Sequence, residues 1–454
     1  MNRKALELYI HIPFCIRKCA YCDFLSFPAG EALQTAYVQA LDREIRKTAA
    51  FLHTQEADGL CLSPDQDPDR EAESGAADPD PDRKAESGTA DQNPGQTPEY
   101  ASACEAYQYV VTSVFFGGGT PSVLPSHVLC GILKTLRECF AFAEDAEITL
   151  EVNPGTVDAE KLTAYRAAGW NRISIGCQSL DDRELKALGR IHTAAEAVEA
   201  YQAARAAGFA NINLDLMSAI PGQKMEGWER TLRAAARLGP EHISAYSLIL
   251  EEGTPFFVQA EKGELDLPDE EEERRMYERT EEILSEYGYH RYEISNYAKE
   301  GYACRHNCGY WTGTAYLGFG LGAASYIGQT RFQNPSDPDR YLRQYGEKAV
   351  PEAGLKEAEA YGLQAWIRKT KEGIEPLSFQ DRMAEYMILG LRMMRGVSDA
   401  EFTEGFGCSF YSVYGEVIKR YLDLGLLASR PDGRIALTRR GISLSNQVMA
   451  DLLP

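Results

Sequence analysis

The chain has 454 residues, of which 44% are hydrophobic, enough for two or three domains with buried cores. Its formal net charge of −21 argues against nucleic acid as the main partner, and no stretch reaches the ~20 apolar residues that a membrane span needs. The first ten residues lack the apolar run of a signal peptide, and the 11 cysteines are odd in number, so we expect free thiols in a reduced, cytoplasmic compartment.

The first predicted strand, ALELYIHI (5–12), runs directly into three cysteines at the spacing C-x3-C-x2-C, namely Cys15, Cys19 and Cys22. A structural zinc site takes four protein ligands, whereas three thiolates hold three irons of a 4Fe–4S cluster and leave the fourth iron open. We therefore predict a cluster on these cysteines, with aromatic neighbours such as Tyr21 shielding it from water. The alternatives are a zinc site that takes His11 as its fourth ligand, or three unrelated buried cysteines.

An acidic segment follows at residues 55–105. Residues 55–100 hold thirteen acidic and three basic side chains, a net charge of −10, and DPDREAESGAAD (67–78) returns as DPDRKAESGTAD (80–91). With so few large apolar residues, the segment cannot offset the entropy lost on ordering. We predict a disordered insertion, which is either an inert loop or an acidic docking tail.

Five more buried strands are predicted along the chain: YVVTSVFF (109–116), AEITLEV (146–152), RISIGCQ (172–178), INLDLM (212–217) and HISAYSLIL (242–250). Amphipathic stretches such as 36–52, 159–169 and 193–208 lie between strands, and several end at a glycine. This alternation predicts an α/β fold, a partial (β/α)6 barrel formed by residues 1–54 and 106–300.

Polar residues stand where the predicted strands end. The second strand ends in GGGTP (117–121), the third in EVNP (151–154) and the fourth in Gln178, while the fifth contains Asp215. Active sites of such barrels lie at the carboxyl ends of the strands. A glycine turn or a capping acid explains any one of these features, but together they predict one site at one rim.

The cysteine segment CIRKCAYC resembles the signature of the radical S-adenosylmethionine (SAM) superfamily. The resemblance implies a radical-SAM barrel in which the amino and carboxylate groups of SAM chelate the open iron. It also implies that an electron from the cluster, supplied by an external donor, cleaves SAM to methionine and a 5′-deoxyadenosyl radical.

The same resemblance assigns further residues to cofactor binding. It implies that the glycines of GGGTP, at the end of the second predicted strand, bring the backbone close to the methionine end of SAM. It also implies that Glu151 faces the ribose hydroxyls. The full set of cofactor-binding residues that it implies is Tyr9, Tyr21, Gly118, Gly119, Thr120, Glu151, Gln178, Arg190 and Asp215.

Longer blocks, including LYIHIPFCIRKCAYCDF, SIGCQSLDDRELKALGRIHT and RHNCGYW, resemble the coproporphyrinogen dehydrogenase-like branch of the superfamily. That branch contains the oxygen-independent coproporphyrinogen III oxidases and a class of heme chaperones. Three features favour the chaperone class: Phe24 stands where the oxidases have a fourth cysteine, only 14 residues precede Cys15, and an H-N-x-x-Y-W motif is present.

The H-N-x-x-Y-W motif consists of His306, Asn307, Tyr310 and Trp311, in a predicted barrel-edge extension over residues 301–377. Imidazole is a good axial ligand for heme iron, and Tyr and Trp supply flat apolar faces, so we predict that His306 takes part in heme binding. The alternative is a core histidine in a segment that closes the barrel edge. Cys304 and Cys308 flank the motif, and Ala324 stands where relatives often carry a histidine.

Residues 378–454 are predicted to form a C-terminal winged-helix-like α+β domain. A capped amphipathic helix is expected over 378–398, with Met383, Met387, Leu391 and Met394 on one face, followed by a hairpin around 431–433. The basic residues Arg430, Arg434, Arg439 and Arg440 form only a small patch, so no nucleic-acid partner is expected.

The resemblance thus implies a heme chaperone with three cofactors, a 4Fe–4S cluster, SAM and heme, and with hemoproteins such as respiratory enzymes as recipients. We expect no coproporphyrinogen oxidase activity. The rival interpretations are that oxidase, which decarboxylates propionates, and a radical enzyme for an unrelated substrate. The sequence leaves open whether SAM is cleaved in turnover and whether the protein contacts a membrane surface.

Overall fold

The computed structural model of the chain describes residues 3–56, 109–346 and 366–454. The predicted acidic insertion, apart from residues 55–56, lies outside the described residues. Residues 347–365 of the predicted extension lie outside them as well.

Six parallel strands form the centre of the molecule, in the order of the chain. Their bounds are β1 Lys4–Ile12, β2 Tyr109–Gly118, β3 Phe142–Val152, β4 Arg172–Gln178, β5 Ile212–Ser218 and β6 His242–Ser247. All seven residues of β4 are buried, as expected for strands covered on both faces. The fold class predicted from the sequence, an α/β partial barrel, is confirmed.

Helices follow the strands and cover the sheet. They are α1 Glu31–Glu56, α2 Ser126–Cys139, α3 Ala159–Ala168, α4 Asp182–Ala187, α5 Ala194–Ala206, α6 Met225–Leu238, α7 Pro255–Glu261 and α8 Glu270–Glu286. Local sequence sets their ends: the Thr193 hydroxyl and the Glu196 side chain form a capping box at the start of α5. Gly169 ends α3 with φ of +112°, a conformation that favours glycine.

The segment after α8 extends the sheet at both edges. Its elements are β7 His290–Arg291, β8 Asn296–Ala298, α9 Arg305–Thr312, β9 Ala315–Phe319, β10 Ala324–Ile327, β11 Thr330–Gln333, α10 Pro338–Tyr345 and β12 Glu372–Pro376. Within the described ranges the sheet order is β12-β11-β10-β9-β1-β2-β3-β4-β5-β6-β8-β7. The strand after α9 pairs in parallel with β1, so α9 lies close to the start of the barrel.

The C-terminal part forms its own hydrophobic cluster around Met383, Met387, Leu391 and Phe402. Its elements are α11 Phe379–Leu391, β13 Val397–Ser398, α12 Asp399–Phe406, α13 Phe410–Asp423, β14 Leu427–Ser429, β15 Arg434–Leu437, α14 Arg439–Ser443 and α15 Ser445–Ala450. The three short strands form an antiparallel sheet in the order β13-β15-β14.

The first C-terminal helix is shorter than the sequence analysis predicted. It starts with the expected cap, a capping box of Ser378 and Asp381, but it ends at Leu391 rather than near residue 398. Gly396 follows with φ of +71°, and Val397 then pairs with Ile435 in the small sheet. Met394 is accordingly only partly buried at the edge of the cluster.

Candidate functional site

The three cysteines lie on an irregular loop that follows β1. The loop is closed at its base by two backbone hydrogen bonds, from the Cys15 amide to the Phe27 carbonyl (3.1 Å) and from the Phe27 amide to the Pro13 carbonyl (2.8 Å). Cys15, Cys19 and Cys22 are free and half-buried. The loop therefore presents all three thiols near the carboxyl ends of the strands.

One cavity of about 270 Å3 gathers most of the residues that the sequence singled out. Carboxyl ends of neighbouring parallel strands meet at one edge, which explains why residues far apart in the chain line one space. The predicted residues that line it are Cys15, Tyr21, Cys19, Cys22, Gly118, Gly119, Thr120, Glu151, Gln178, Arg190 and Asp215. Tyr9 and His306 do not line this cavity.

A chain of polar contacts connects two of the cysteines across the cavity floor. The Cys15 Sγ lies 3.6 Å from the Thr120 hydroxyl, which accepts a hydrogen bond from Nδ2 of Asn153 at 2.7 Å. Oδ1 of Asn153 in turn accepts from Arg190 (2.6 Å), whose other terminal nitrogen lies 3.6 Å from the Cys19 Sγ. The guanidinium thus places positive charge beside a sulfur that would bind iron as a thiolate.

Gly118 and Gly119, at the end of β2 and the start of the loop that follows, are required by the packing of neighbouring residues in the protein itself. A Cβ on Gly118, which has φ of +105°, would lie 2.5 Å from the His11 ring. One on Gly119 would lie 2.7 Å from the Phe14 carbonyl oxygen, which receives a hydrogen bond from the Thr120 amide. The glycines let this loop contact the end of β1 and the cysteine loop directly.

Two half-buried carboxyl groups, Glu151 and Asp215, face the cavity. Desolvation, together with the charge of the nearby Asp215, raises the pKa of Glu151 to about 8. Burial also raises the pKa of Asp215, although Asn213 and Ser174 donate hydrogen bonds to it at 2.7 and 3.1 Å. A cationic or hydroxyl-rich ligand would offset the burial of these groups.

Gln178 has a strained backbone at the end of β4. Its φ is +67°, and it is one of three non-glycine residues with positive φ in the described ranges. Its side-chain oxygen accepts a hydrogen bond from the Tyr246 hydroxyl at 2.8 Å. Such strain is concentrated at functional sites, because the surrounding structure must hold the side chain in place.

The zinc alternative takes His11 as its fourth ligand, and the contacts of this histidine bear on it. His11, the proposed fourth ligand, donates from Nε2 to the Leu25 carbonyl (2.8 Å) and accepts at Nδ1 from the Tyr9 hydroxyl (3.1 Å). Three thiols spread around one cavity fit a cubane instead, since each binds a different iron.

A second cavity, of about 330 Å3, adjoins the first and shares Gly118, Glu151 and Asp215 with it. Tyr9, His306, Asn307 and Tyr310 line it. The structure therefore brings these residues to the barrel mouth, but beside the cysteine cavity rather than within it.

Both ring nitrogens of His306 are occupied. Nδ1 lies 2.8 Å from the Ser113 hydroxyl, Nε2 lies 3.2 Å from the Tyr310 hydroxyl, and the ring stacks on Phe115 with centroids 5.2 Å apart. The side chain is 1% exposed, and burial together with the charge of Arg172 lowers its pKa to about 3. The histidine is neutral, as metal ligation requires. Its hydrogen bond to the Tyr310 hydroxyl must break before Nε2 can bind iron.

The cysteines beside the motif are held as thiols. Cys304 is fully buried and donates to Glu147 at 3.3 Å, and burial raises its pKa well above the usual range. Burial raises the pKa of Cys308 to about 12. Ala324 is exposed on β10.

Sequence reasoning did not select several residues that build the site. Asn153, Ser174 and Tyr246 line the cysteine cavity, and Asn213 orients Asp215. Asn153 stood in the quoted EVNP segment, where its position at a strand end was the available signal. Two of the four C-terminal arginines are ion-paired: Arg434 with Glu401, and Arg439 with Glu282.

Comparison with known proteins gives two family matches. Residues 93–235 match the radical SAM superfamily, and residues 377–444 match the HemN C-terminal domain. The first match does not include the cysteine loop. None of the described helices combines the length and apolar character needed to cross a bilayer.

Curated relatives extend over most of the chain. "Heme chaperone HemW" of Bacillus subtilis is 32% identical over 98% of both chains, and its namesake in Escherichia coli is 36% identical over 70% of this chain and 69% of that one. The solved structure of coproporphyrinogen III oxidase (HemN) from Escherichia coli is similar with a TM-score of 0.71, at 21% identity over 99% of this chain and 90% of that chain. That structural similarity confirms the fold.

Proposed function

The chain belongs to the radical SAM family whose curated members are named heme chaperone HemW, and we propose that it acts as such a chaperone. It would hold a 4Fe–4S cluster and SAM at the barrel rim and bind heme for delivery to hemoproteins. The observation that carries the proposal is the convergence of the three cysteines with the polar residues of four strand ends on one cavity.

We propose that Cys15, Cys19 and Cys22 each hold one iron of the cluster. When bound, the cluster and SAM supply one-electron chemistry at the rim. Arg190 balances the thiolate charge near Cys19, and Thr120 lies against Cys15. We propose that Glu151 and Asp215 face the ribose and the positively charged portion of SAM, which would lower their raised pKa values.

We propose that heme binds next to the H-N-x-x-Y-W segment, where α9 meets the barrel mouth. His306 is neutral, and its release from Tyr310 frees Nε2 as an axial ligand. Tyr310 and Trp311 add aromatic surface on the same helix. The proposed setting is cytoplasmic, with hemoproteins such as respiratory enzymes as recipients and an electron donor for the cluster.

The rival function is oxygen-independent coproporphyrinogen III oxidation, which the fold match to HemN brings into consideration. The oxidases carry a fourth cysteine where this chain has Phe24, and here that side chain is 69% exposed. An anaerobic assay for protoporphyrinogen separates the two functions, and its formation would favour the oxidase.

Reconstitution under anaerobic conditions followed by heme titration tests the proposal. Cys19→Ser should lose iron and sulfide while retaining heme affinity, and His306→Ala should lose heme affinity while retaining iron. Cys130→Ser and His127→Ala are matched controls, since Cys130 lies in α2 and His127 is exposed. A wild-type protein that gives no Soret band on titration would contradict heme binding.

A further inference from the structure

A third and larger cavity, of about 510 Å3, lies between the barrel extension and the C-terminal part. The end of α9 and strands β9 to β11 form one wall, and α11 and α12 form the other. Its volume falls in the range of small-molecule sites, roughly 300–1,000 Å3. None of the residues that line it comes from the cysteine loop, and His306 does not line it either.

Aromatic side chains line this cleft from both sides. Trp311, Tyr316 and Tyr326 face it from the barrel extension, and Tyr386 and Phe406 face it from the C-terminal part. Tyr316 is in edge-to-face contact with Tyr310, with centroids 4.7 Å apart. Nε1 of Trp311 is buried without a hydrogen-bond partner. Such walls suit a flat apolar ligand that carries hydrogen-bond acceptors.

Two arginines of the cleft have no ion-pair partner among the described residues, although the carboxylates Glu385 and Glu401 also line it. Arg331 is ion-paired with Glu385 at 2.6 Å. Arg382 and Arg395 also line the cleft, yet within the described parts of the chain no carboxylate lies within ion-pair distance of either. Nε of Arg382 is buried without a partner.

A further guanidinium, that of Arg392, packs against Trp311 of the aromatic wall. Arg392 lies 4.5 Å above the Trp311 ring, and its Nε is likewise buried without a partner. Two guanidinium groups that line an aromatic cleft without an ion-pair partner in the described ranges, in a chain of strongly negative net charge, indicate a ligand with carboxylates.

We infer that this interdomain cleft binds the porphyrin dicarboxylate, with its flat face against Trp311 and its carboxylates on Arg382 and Arg395. The inference rests on the proposed function, because heme is the flat dicarboxylate which that function supplies. It places the body of the ligand on the Tyr–Trp side of the motif, with the two carboxylates held by the C-terminal part. Tyr310 lines both this cleft and the cavity of His306, and its displacement would bring Nε2 of His306 to the ligand.

Titration of the reconstituted full-length protein with two probes, heme and heme dimethyl ester, tests the inference. Arg382→Gln and Arg395→Gln should each raise the Kd for heme by about tenfold, the loss expected for a charge-assisted hydrogen bond, and should leave the Kd for the ester unchanged. Arg420→Gln is the matched control, because Arg420 lies on the surface of the same domain and pairs with Asp451.

Gly405→Leu gives an independent test, because it adds side-chain volume inside the cleft. Gly405 lines the cleft, and a Cβ there would meet no atom within 4 Å, so the substitution should fold and should weaken binding of both probes by about tenfold or more. Iron content and the urea midpoint, unchanged from wild type, show that each variant is folded.

The outcomes separate the two proposals. A wild-type protein that binds neither probe contradicts the proposed function and the inference with it. A wild-type protein that binds heme, with Arg382→Gln, Arg395→Gln and Gly405→Leu all equal to Arg420→Gln, overturns the inference alone. Should Arg382→Gln fail to fold, Arg395→Gln and the ester comparison decide the result.

Discussion

Asn153 joins the two sides of the cysteine cavity, since its amide donates to Thr120 and accepts from Arg190. Thr120 lies against Cys15, and Arg190 lies against Cys19, so one side chain sets the spacing of both partners. An asparagine satisfies both because its side chain carries a donor and an acceptor on one plane.

Asn153→Ala should weaken SAM binding and lower the iron content of reconstituted protein. Removing the amide takes one hydrogen-bond partner from Thr120 and one from Arg190, at a cost of about 1–3 kcal/mol. Calorimetric titration with SAM measures the effect. Asn171→Ala is the matched control, because Asn171 also makes two hydrogen bonds, to Ile148 and Ala146, at the opposite end of the strands. Equal SAM affinity in the two variants would contradict this role.

His192 provides a test of acid stability. Nε2 donates to the Cys177 carbonyl at 3.1 Å, Nδ1 is buried without a partner, and burial together with Arg190 lowers the pKa to about 4 from 6.5. The unfolded chain therefore binds a proton that the folded chain does not, and the free energy of unfolding should fall by at most about 3 kcal/mol as pH drops from 6.5 to 4.

His192→Gln, whose amide can donate to the same carbonyl, should lose less stability over this interval than wild type. Urea midpoints at the two ends of the interval measure the difference. His127→Gln, at an exposed position, should behave as wild type. A His192→Gln protein as acid-sensitive as wild type would refute the assignment.

Residue types at strand ends allowed most of the rim to be predicted, because carboxyl ends of parallel strands share one edge. The sequence did not show that His306 is buried between Ser113 and Tyr310, since those contacts depend on how α9 lies against β2. Nor did it show the role of Asn153, because its two partners, Thr120 and Arg190, lie in different loops and only the fold brings them together.

The loop after β2 connects three parts of the barrel rim. The Gly119 amide donates to the Ile12 carbonyl at 2.8 Å, and the Thr120 amide donates to the Phe14 carbonyl at 2.7 Å. The absence of side chains at two successive positions permits this approach. The cysteine loop is thus held against the sheet by backbone contacts, which fixes its entry angle.

Gly118→Ala and Gly119→Ala should each destabilise the protein by about 2 kcal/mol or more and reduce iron incorporation, because the new Cβ overlaps His11 or the Phe14 carbonyl. Chemical denaturation and iron analysis measure both effects. Gly131→Ala in α2 is the control: its Cβ meets nothing within 4 Å, so it should add about 0.5–1 kcal/mol of stability. Full iron loading in both rim variants would contradict the argument.

At the level of elements, hydrophobic runs correctly predicted the six central strands, whose burial on both faces requires continuous apolar sequence. The edge strands β7 to β12 were not predicted, because strands of two to five residues carry little periodic signal. The end of α11 was misplaced because the apolar pattern continues to Val397, which belongs to a strand. The α+β character of the C-terminal part, helices with a small antiparallel sheet, was predicted correctly.

A buried ion pair connects the first helix of the barrel to Lys371, the residue that precedes the last strand of the extension. Nζ of Lys371 lies 3.1 Å from Oε1 of Glu44, and the side chains are 2% and 0% exposed. Gly320 and Tyr341 donate to the other carboxylate oxygen, both at 2.8 Å. The Glu44 carboxylate thus connects α1 to three separate segments of the extension, those that contain Gly320, Tyr341 and Lys371.

Lys371→Met should lower the free energy of unfolding by about 3–5 kcal/mol, because Glu44 is left buried without its counter-ion. The double variant Glu44→Met, Lys371→Met should recover part of that loss, as measured by urea denaturation. Arg46→Ala, which breaks exposed pairs with Asp42 and Glu138, should cost at most about 1 kcal/mol. Additive effects of the two methionine substitutions would show that the pair is not coupled.

Tyr310 lines both the cavity that contains His306 and the cleft at the C-terminal part. A ligand that displaces its ring from the cleft side removes the hydroxyl from Nε2 of His306, and thereby changes the barrel mouth. Thermodynamic linkage makes this influence reciprocal. The factor by which bound SAM changes the affinity for heme equals the factor by which bound heme changes the affinity for SAM. The position of the Tyr310 phenol would then depend on both heme binding and SAM binding, so that the binding of one ligand promotes the release of the other.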